Sequence, residues 1–206
     1  MDGNNRWSKK RALSKYDSYK RGASKLVSLS NYIFTKNTKI NTISAFALSK
    51  NNLQRSSKIL NLIKKILLES LTQFENNKRN YDIVFIGDFN FLEEKIKKKI
   101  DSINKKQIFK KKLLIYLNYG GREDIQQAAK NFNNKNNFES NLLTFKYSEP
   151  DILIRTGGFR RISNFLLYQI AFTELFFLNK LWPDLSNADI KKIISQFNKI
   201  DRKFGK

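Results

Sequence analysis

Apolar residues recur along the chain in two rhythms. From Lys20 to Thr35, Leu26, Leu29, Ile33 and Phe34 fall three or four positions apart, the spacing of one helix face. Ser56 and Ser57 can cap a longer helix with Ile59, Leu60, Ile63, Ile66, Leu67, Leu71 and Phe74 along one side. Further helices are predicted over residues 92–106, 122–132 and 163–170, and Ser186-Asn-Ala-Asp189 reads as a capping box for the last helix. Between these segments lie short apolar runs at 41–48, 82–86, 113–118, 151–155 and 175–177, which predict buried strands. Strand and helix alternate. The expected fold class is therefore α/β, a single domain over residues 1–206 with a mostly parallel central sheet flanked by helices.

Three loops that follow strands carry glycine and polar residues: Gly87-Asp88, Asn118 to Arg122, and Arg155 to Arg161. Open parallel sheets bind ligands at that edge. The apolar face of the helix near 58–74 has two readings, plain core or the wall of a tunnel for a hydrocarbon, and periodicity does not separate them.

Composition narrows the chemistry. The chain has no cysteine and no histidine, which excludes thiol nucleophiles, disulfides, Ser-His-Asp triads and His-ligated zinc. A bound metal would need oxygen ligands, so magnesium, calcium or manganese is implied. The net charge of +22 suits a polyanionic partner. It also suits drift in an AT-rich genome, because 30 Lys, 24 Asn and 22 Ile make up 76 of the 206 residues. The ten arginines are more telling, since nine of them fall in or beside motif-like segments, where a planar fork can grip phosphate in two bonds. No apolar run is long enough to span a membrane and no signal peptide opens the chain, so a cytoplasmic location is expected.

Two segments concentrate candidate chemistry. In Met1-Asp2-Gly3-Asn4-Asn5-Arg6-Trp7, a Gly-Asn-Asn turn could point N–H groups at an anion, with Asp2 on Mg²⁺ and Arg6 on phosphate; the alternative is a polar tail. In Arg155-Thr-Gly-Gly-Phe-Arg160-Arg161-Ile162-Ser163-Asn164, three arginines and a hydroxyl surround two glycines. This is either a phosphate site or a solvated turn. Glu174 sits in an apolar stretch, as an edge residue, an ion-pair partner or a group near a metal.

Taken in order, these segments resemble the cis-prenyltransferases, the undecaprenyl diphosphate synthase family. The resemblance covers Met-Asp-Gly-Asn-x-Arg-Trp, Ile86-Gly87-Asp88, Asn118-Tyr-Gly-Gly-Arg122, and Pro150-Asp151-x-Leu-Ile-Arg-Thr-Gly-Gly158. It continues through Arg161-Ile-Ser-Asn-Phe-Leu-Leu167, Glu174-Leu-x-Phe177, Leu181-Trp-Pro-Asp184 and Arg202-x-Phe-Gly205. It implies a homodimeric, Mg²⁺-dependent enzyme that condenses an allylic diphosphate, such as farnesyl diphosphate, with isopentenyl diphosphates. The implied product is a long polyprenyl diphosphate, in bacteria the lipid carrier for cell-wall sugars. Peripheral contact with the inner face of the membrane for product release is also implied, and no nucleic acid is expected.

By the same resemblance, Asp2 is the catalytic residue linked to Mg²⁺. Gly3, Asn4, Asn5, Arg6, Trp7 and Lys15 belong to the allylic diphosphate site, with Tyr19 where the family usually has His. The segment 47–56 aligns with a substrate loop, in which Asn52 assists proton removal. Ser49, Asn51, Leu53 and Arg55 contact substrate there. Arg155, Arg161 and Ser163 match the isopentenyl diphosphate site, Arg160 and Ile162 count as substrate-binding beside them, and Glu174 matches an acidic residue tied to Mg²⁺. The chain departs from the family pattern at Tyr19, Asn51, Leu53, Ser56 and Phe159, the last in place of an acid. In the family an apolar strand precedes the Met-Asp-Gly-Asn motif. Met1 is therefore expected not to be the natural start, and the first strand is expected to be missing from this sequence. Two alternatives stand beside the enzyme: a non-catalytic partner subunit of the same family, and a basic nucleic-acid-binding protein.

Overall fold

The computed structural model describes residues 1–37, 39–54, 56–76, 78–133 and 137–203. It packs as two compact units. Unit 1 comprises Met1–Tyr32, Glu149–Ser163 and Leu167–Lys206, and unit 2 comprises Ile33–Ser148 and Asn164–Leu166. Arg55, Phe204 and Gly205, named above, lie outside the described residues.

Unit 2 is built on three parallel strands, β1 (Thr42–Ser49), β2 (Asp82–Gly87) and β3 (Lys112–Tyr119), in the order β1-β3-β2. Three helices cross between or follow them: α3 (Ser57–Asn76), α4 (Glu94–Lys105) and α5 (Gly121–Asn131). The central strand β3 is buried from Leu113 to Tyr119, as its continuous apolar run requires of a parallel strand covered on both faces. Leu71 of α3 and Ile100 of α4 are wholly buried, each at the centre of its helix's apolar stripe. At the edge strand, the Asn104 side chain accepts from the Phe85 N–H (2.8 Å) and donates to the Phe85 carbonyl (3.0 Å). That satisfies backbone groups no neighbouring strand takes up. Gly87 is obligatory: its φ is 135°, and a Cβ there would lie 1.8 Å from the Leu117 carbonyl oxygen.

Unit 1 contains α1 (Asn4–Lys10), most of α2 (Lys15–Lys36), a parallel pair β4 (Ile152–Arg155) and β5 (Glu174–Phe177), and α6 (Asn187–Phe197). The capping box expected at Ser186 is formed: Ser186 Oγ accepts from the Asp189 N–H, and Asp189 accepts from the Ser186 N–H. Burial works against the Asp189 charge. Hydrogen bonds from Lys180 and Ser186 nonetheless hold its carboxyl down at about 2.

The α/β class and the parallel strands flanked by helices agree with the sequence reading. Two local expectations do not hold. The helix expected over 163–170 is replaced by turns, because Ser163, Asn164 and Leu166 take positive φ values of 53°, 64° and 49°. The Gly-Asn-Asn turn expected at the start is instead the opening of α1, with Gly3 before it at φ 110° and the Trp7 N–H bonded to the Gly3 carbonyl at 2.8 Å.

Candidate active site in unit 1

The backbone of Asp2 is held at two points. Its N–H donates to Thr156 Oγ1 and its carbonyl accepts from the same hydroxyl, both at 3.0 Å. The carbonyl also accepts from the Trp182 N–H at 2.9 Å. Thr156 directly follows β4, so the end of that strand fixes where the Asp2 carboxylate projects.

That carboxylate faces two arginines. Arg155 Nη2 donates to Asp2 Oδ2 at 3.0 Å, and Arg6 Nη2 lies 3.5 Å from Oδ1. Arg155 Nη1 reaches the other way, donating to Ser163 Oγ at 2.7 Å and to the Arg161 carbonyl. Its Nε is buried and has no partner among the described residues, a donor left unsatisfied inside the cluster. Asn4 Oδ1 and Asn5 Oδ1 are likewise buried and unpaired at the start of α1.

Two glycines make this approach possible. Gly157 and Gly158 have φ of 91° and 82°, and a Cβ on Gly157 would come within 2.5 Å of Arg6 Nη2 and 3.2 Å of Asp2 Cβ. The reversal presents Phe159, whose ring centroid lies 4.2 Å from the Arg161 guanidinium, 5.0 Å from that of Arg6 and 5.7 Å from that of Arg155. An aromatic face attracts a guanidinium without itself occupying the N–H fork. Three guanidiniums against one carboxylate leave the cluster with surplus positive charge, suited to a multiply charged anion.

The structure thus brings together Asp2, Arg6, Arg155, Arg161 and Ser163. It places other expected residues differently. Trp7 is buried, and its indole N–H donates to Asp184 Oδ1 at 2.8 Å, so it anchors α1. Asn4 packs where Gly22 leaves room: a Cβ on Gly22 would lie 2.5 Å from Asn4 Oδ1. Lys15 opens α2 and is exposed, Tyr19 is half-buried in that helix, Arg160 is exposed and Ile162 half-buried. Glu174 begins β5 opposite Ile152, whereas Arg155 pairs with Phe177 at the far end of the two strands. Three residue steps, about 10 Å, separate the two rows. Among the described residues no three acidic side chains cluster to cage a metal. One carboxylate is enough for Mg²⁺ carried on substrate phosphates and water, and Asp2 fits that role.

In unit 2, Ser49 ends β1, and Asn51, Asn52 and Leu53 follow on a short 3₁₀ turn, Lys50–Gln54, with Asn51 exposed and the other two half-buried. The Asn118-to-Arg122 motif proves to be the entry to α5. Asn164 serves it, taking the Arg122 N–H on its Oδ1 (2.8 Å) and donating to Glu123 (3.0 Å). Burial of Glu123 opposes its charge, yet that bond and the nearby Lys50 and Arg122 keep its carboxyl below the usual range. A pocket of about 330 Å³ runs along β2 past Ile86, Phe89, Leu142 and Phe145; α3 does not line it, and both readings of its apolar face stand. The sequence reading missed Thr156 as the Asp2 clamp and Asn164 as the α5 cap. Both lie within the motifs around Arg155 and Arg161, but a hydroxyl's partner across 154 positions leaves no local signal.

Comparison with known proteins decides the family. The family model described as "Putative undecaprenyl diphosphate synthase" matches residues 1–205. The chain belongs to the cis-prenyltransferase family. It is 35% identical to the tritrans,polycis-undecaprenyl-diphosphate synthase (geranylgeranyl-diphosphate specific) of Pyrobaculum aerophilum, over all of this chain and 93% of that protein. It is 34% identical to an isoprenyl transferase of Fusobacterium nucleatum, with the same two coverages. Among solved structures, lavandulyl diphosphate synthase from Lavandula x intermedia, in complex with dimethylallyl diphosphate, superposes with a TM-score of 0.86 at 26% identity. That match covers all of this chain and 95% of the other. A Campylobacter jejuni structure described as a probable undecaprenyl diphosphate synthase gives a TM-score of 0.75 at 31% identity, covering 90% and 92% of the two chains. This cis-prenyltransferase is accordingly an enzyme of prenyl-chain elongation.

Proposed function

We propose that this cis-prenyltransferase is Mg²⁺-dependent and condenses an allylic diphosphate, such as farnesyl diphosphate, with successive isopentenyl diphosphates. The long polyprenyl diphosphate so formed would serve as a lipid carrier for cell-wall synthesis. The observation that carries this reading is Arg155. It bridges Asp2 on one side and Ser163 on the other, and its Nε remains unpaired.

Arg155, Arg161 and Ser163 hold the isopentenyl diphosphate. Asp2, the start of α1 from Gly3 to Arg6, and Lys15 serve the allylic diphosphate. As the allylic C–O bond ionises, charge grows on the departing diphosphate, and fixed guanidiniums stabilise it without reorganising. When bound at Asp2, Mg²⁺ supplies Lewis-acid charge to the same oxygens. Asn52 assists removal of the proton from the condensed product, and Ser49, Asn51, Leu53 and Arg55 of the same sequence segment contact substrate. The half-exposed Ile59, Leu60 and Ile63 of α3 offer an apolar face to the growing chain.

A homodimer is proposed through Phe172, Leu175 and Ile200 of unit 1, which are 61%, 45% and 39% exposed. Asp2 is proposed to hold the metal, and Glu174, which begins β5, is proposed as the second acidic residue tied to it. Contact with the inner membrane face would let the product leave. A short-chain product is the second reading, favoured by the whole-chain likeness to lavandulyl diphosphate synthase. The test is incubation of the protein with farnesyl diphosphate, labelled isopentenyl diphosphate and Mg²⁺, followed by product sizing. Long labelled chains support the first reading and a single condensation the second. No incorporation overturns both.

A further inference from the structure

In a parallel sheet every helix-to-strand loop emerges at the strands' N-terminal edge. In unit 2 that edge is set by the aligned row Thr42–Lys112–Asp82. Among the described residues of its three loops, 37 and 39–41, 78–81 and 106–111, none is acidic. Lys39, Lys78, Lys106 and Lys110 are all exposed there, and Lys105 joins them from the end of α4. Of the nearest acids, Asp82 is buried and paired with Lys112, Glu75 is paired with Lys99 at 2.5 Å, and Asp101 lies a turn back along α4.

The third loop adds an apolar tip to this charge. Ile108 is 80% exposed and Phe109 39% exposed, side by side between Lys106 and Lys110. The tip is rigidly built: the N–H groups of both residues donate to Asp82 Oδ2 at 2.8 Å, and Lys112 Nζ donates to the same oxygen at 2.5 Å.

We propose that this edge is a membrane-docking surface, with Ile108 and Phe109 entering an anionic lipid bilayer while the lysines meet its headgroups. The chemistry fits a bilayer better than a nucleic acid. A phosphate backbone would use the lysines but leave the apolar pair in water, whereas the acyl boundary takes up both. The two tip N–H groups are already satisfied by Asp82, so entering a medium poor in water strands neither donor. Long lysine stems can lie along the interface with their ammonium groups at headgroup level. The proposal gives a place to the membrane contact suggested above, and it rests on unit 2 alone, not on the diphosphate site.

The test is co-sedimentation of the full chain with vesicles of phosphatidylglycerol and phosphatidylcholine in equal parts, against vesicles of phosphatidylcholine only. Parallel assays measure prenyl transfer and binding to duplex DNA. The wild-type protein is expected to bind the mixed vesicles, more weakly as salt is raised, and the neutral ones poorly. Ile108→Ser with Phe109→Ser should weaken vesicle binding by at least about tenfold, with prenyl transfer unchanged. Lys105→Gln, Lys106→Gln and Lys110→Gln together should weaken it by more than about tenfold at low salt. Absence of wild-type vesicle binding overturns the proposal. So does undiminished binding by either variant, or DNA binding that depends on the lysines while the vesicles are ignored. Vesicle binding that behaves as expected in a chain inactive in prenyl transfer leaves the docking surface standing and removes the functional reading instead.

Discussion

The loop after β4 and the turn after β1 both carry residues the family resemblance assigns to substrate, yet they are built differently. After β4, the motif side chains hold one another: Arg155 bonds Asp2 and Ser163, and Arg6 and Arg161 gather on Phe159. After β1, Asn51, Asn52 and Leu53 ride a short 3₁₀ turn, partly or fully exposed. The first region is fixed by its own side-chain contacts, and its proposed role as an anion site rests on that fixity. The second presents its side chains from a single short turn. By the family resemblance, the departures at Asn51, Leu53 and Ser56 fall in or just after it. Electrostatic stabilisation depends on charges fixed in advance. Substitutions in the first region should therefore cost more than substitutions in the second.

The largest effect is expected from Asp2→Ala. Loss of the one carboxylate in the cluster should lower turnover by about 10²–10³-fold while the fold survives, measured by steady-state incorporation of labelled isopentenyl diphosphate. Near-normal turnover at saturating Mg²⁺ would undo the contrast. Next comes Arg155→Lys, which should raise the KM for isopentenyl diphosphate more than Arg161→Lys does. Arg155 spans Asp2 and Ser163 with a planar fork, and an ammonium cannot span both. Equal effects at the two positions would mean that the bridge is incidental. Asn52→Ala should lower kcat with little change in either KM. A loss as large as that of Asp2→Ala would show that the turn after β1 is as decisive as the loop after β4.

Much of this was legible in the sequence, for a physical reason. Period and punctuation carry elements: the apolar run at 113–118, the capping box at 186–189 and the strand end at Gly87-Asp88 can each be seen within a few residues. The helix expected at 163–170 failed because its apolar pattern was genuine but served another purpose. Asn164 turns left-handed to cap α5, and Phe165 stacks on Phe46 with ring centroids 4.5 Å apart. Tertiary pairing overrode local pattern there. The three arginines around one aromatic ring were unreadable too, since Phe159 in the sequence is only the loss of an acid. In three dimensions it collects Arg6 from 153 positions away.

The smallest expected effects lie outside both regions, at the α6 cap. Ser186→Ala should cost about 1 kcal/mol in urea unfolding. Because the folded Asp189 carboxyl sits at about 2 against an ordinary 3.8, its contribution is complete above the ordinary value. It disappears as pH falls through the folded one. Unfolding from about pH 5 down to about pH 2 should show this slope in the wild type and not in Asp189→Asn.

The measurement closest to the central claim is calorimetric titration of isopentenyl diphosphate into the wild-type protein and into the Arg155→Lys, Arg161→Lys double variant. If the loop after β4 is the preorganised diphosphate site, the wild type binds saturably and the double variant at least about tenfold more weakly, at unchanged melting temperature. Equal affinity in the two proteins, or no binding by the wild type, would contradict it.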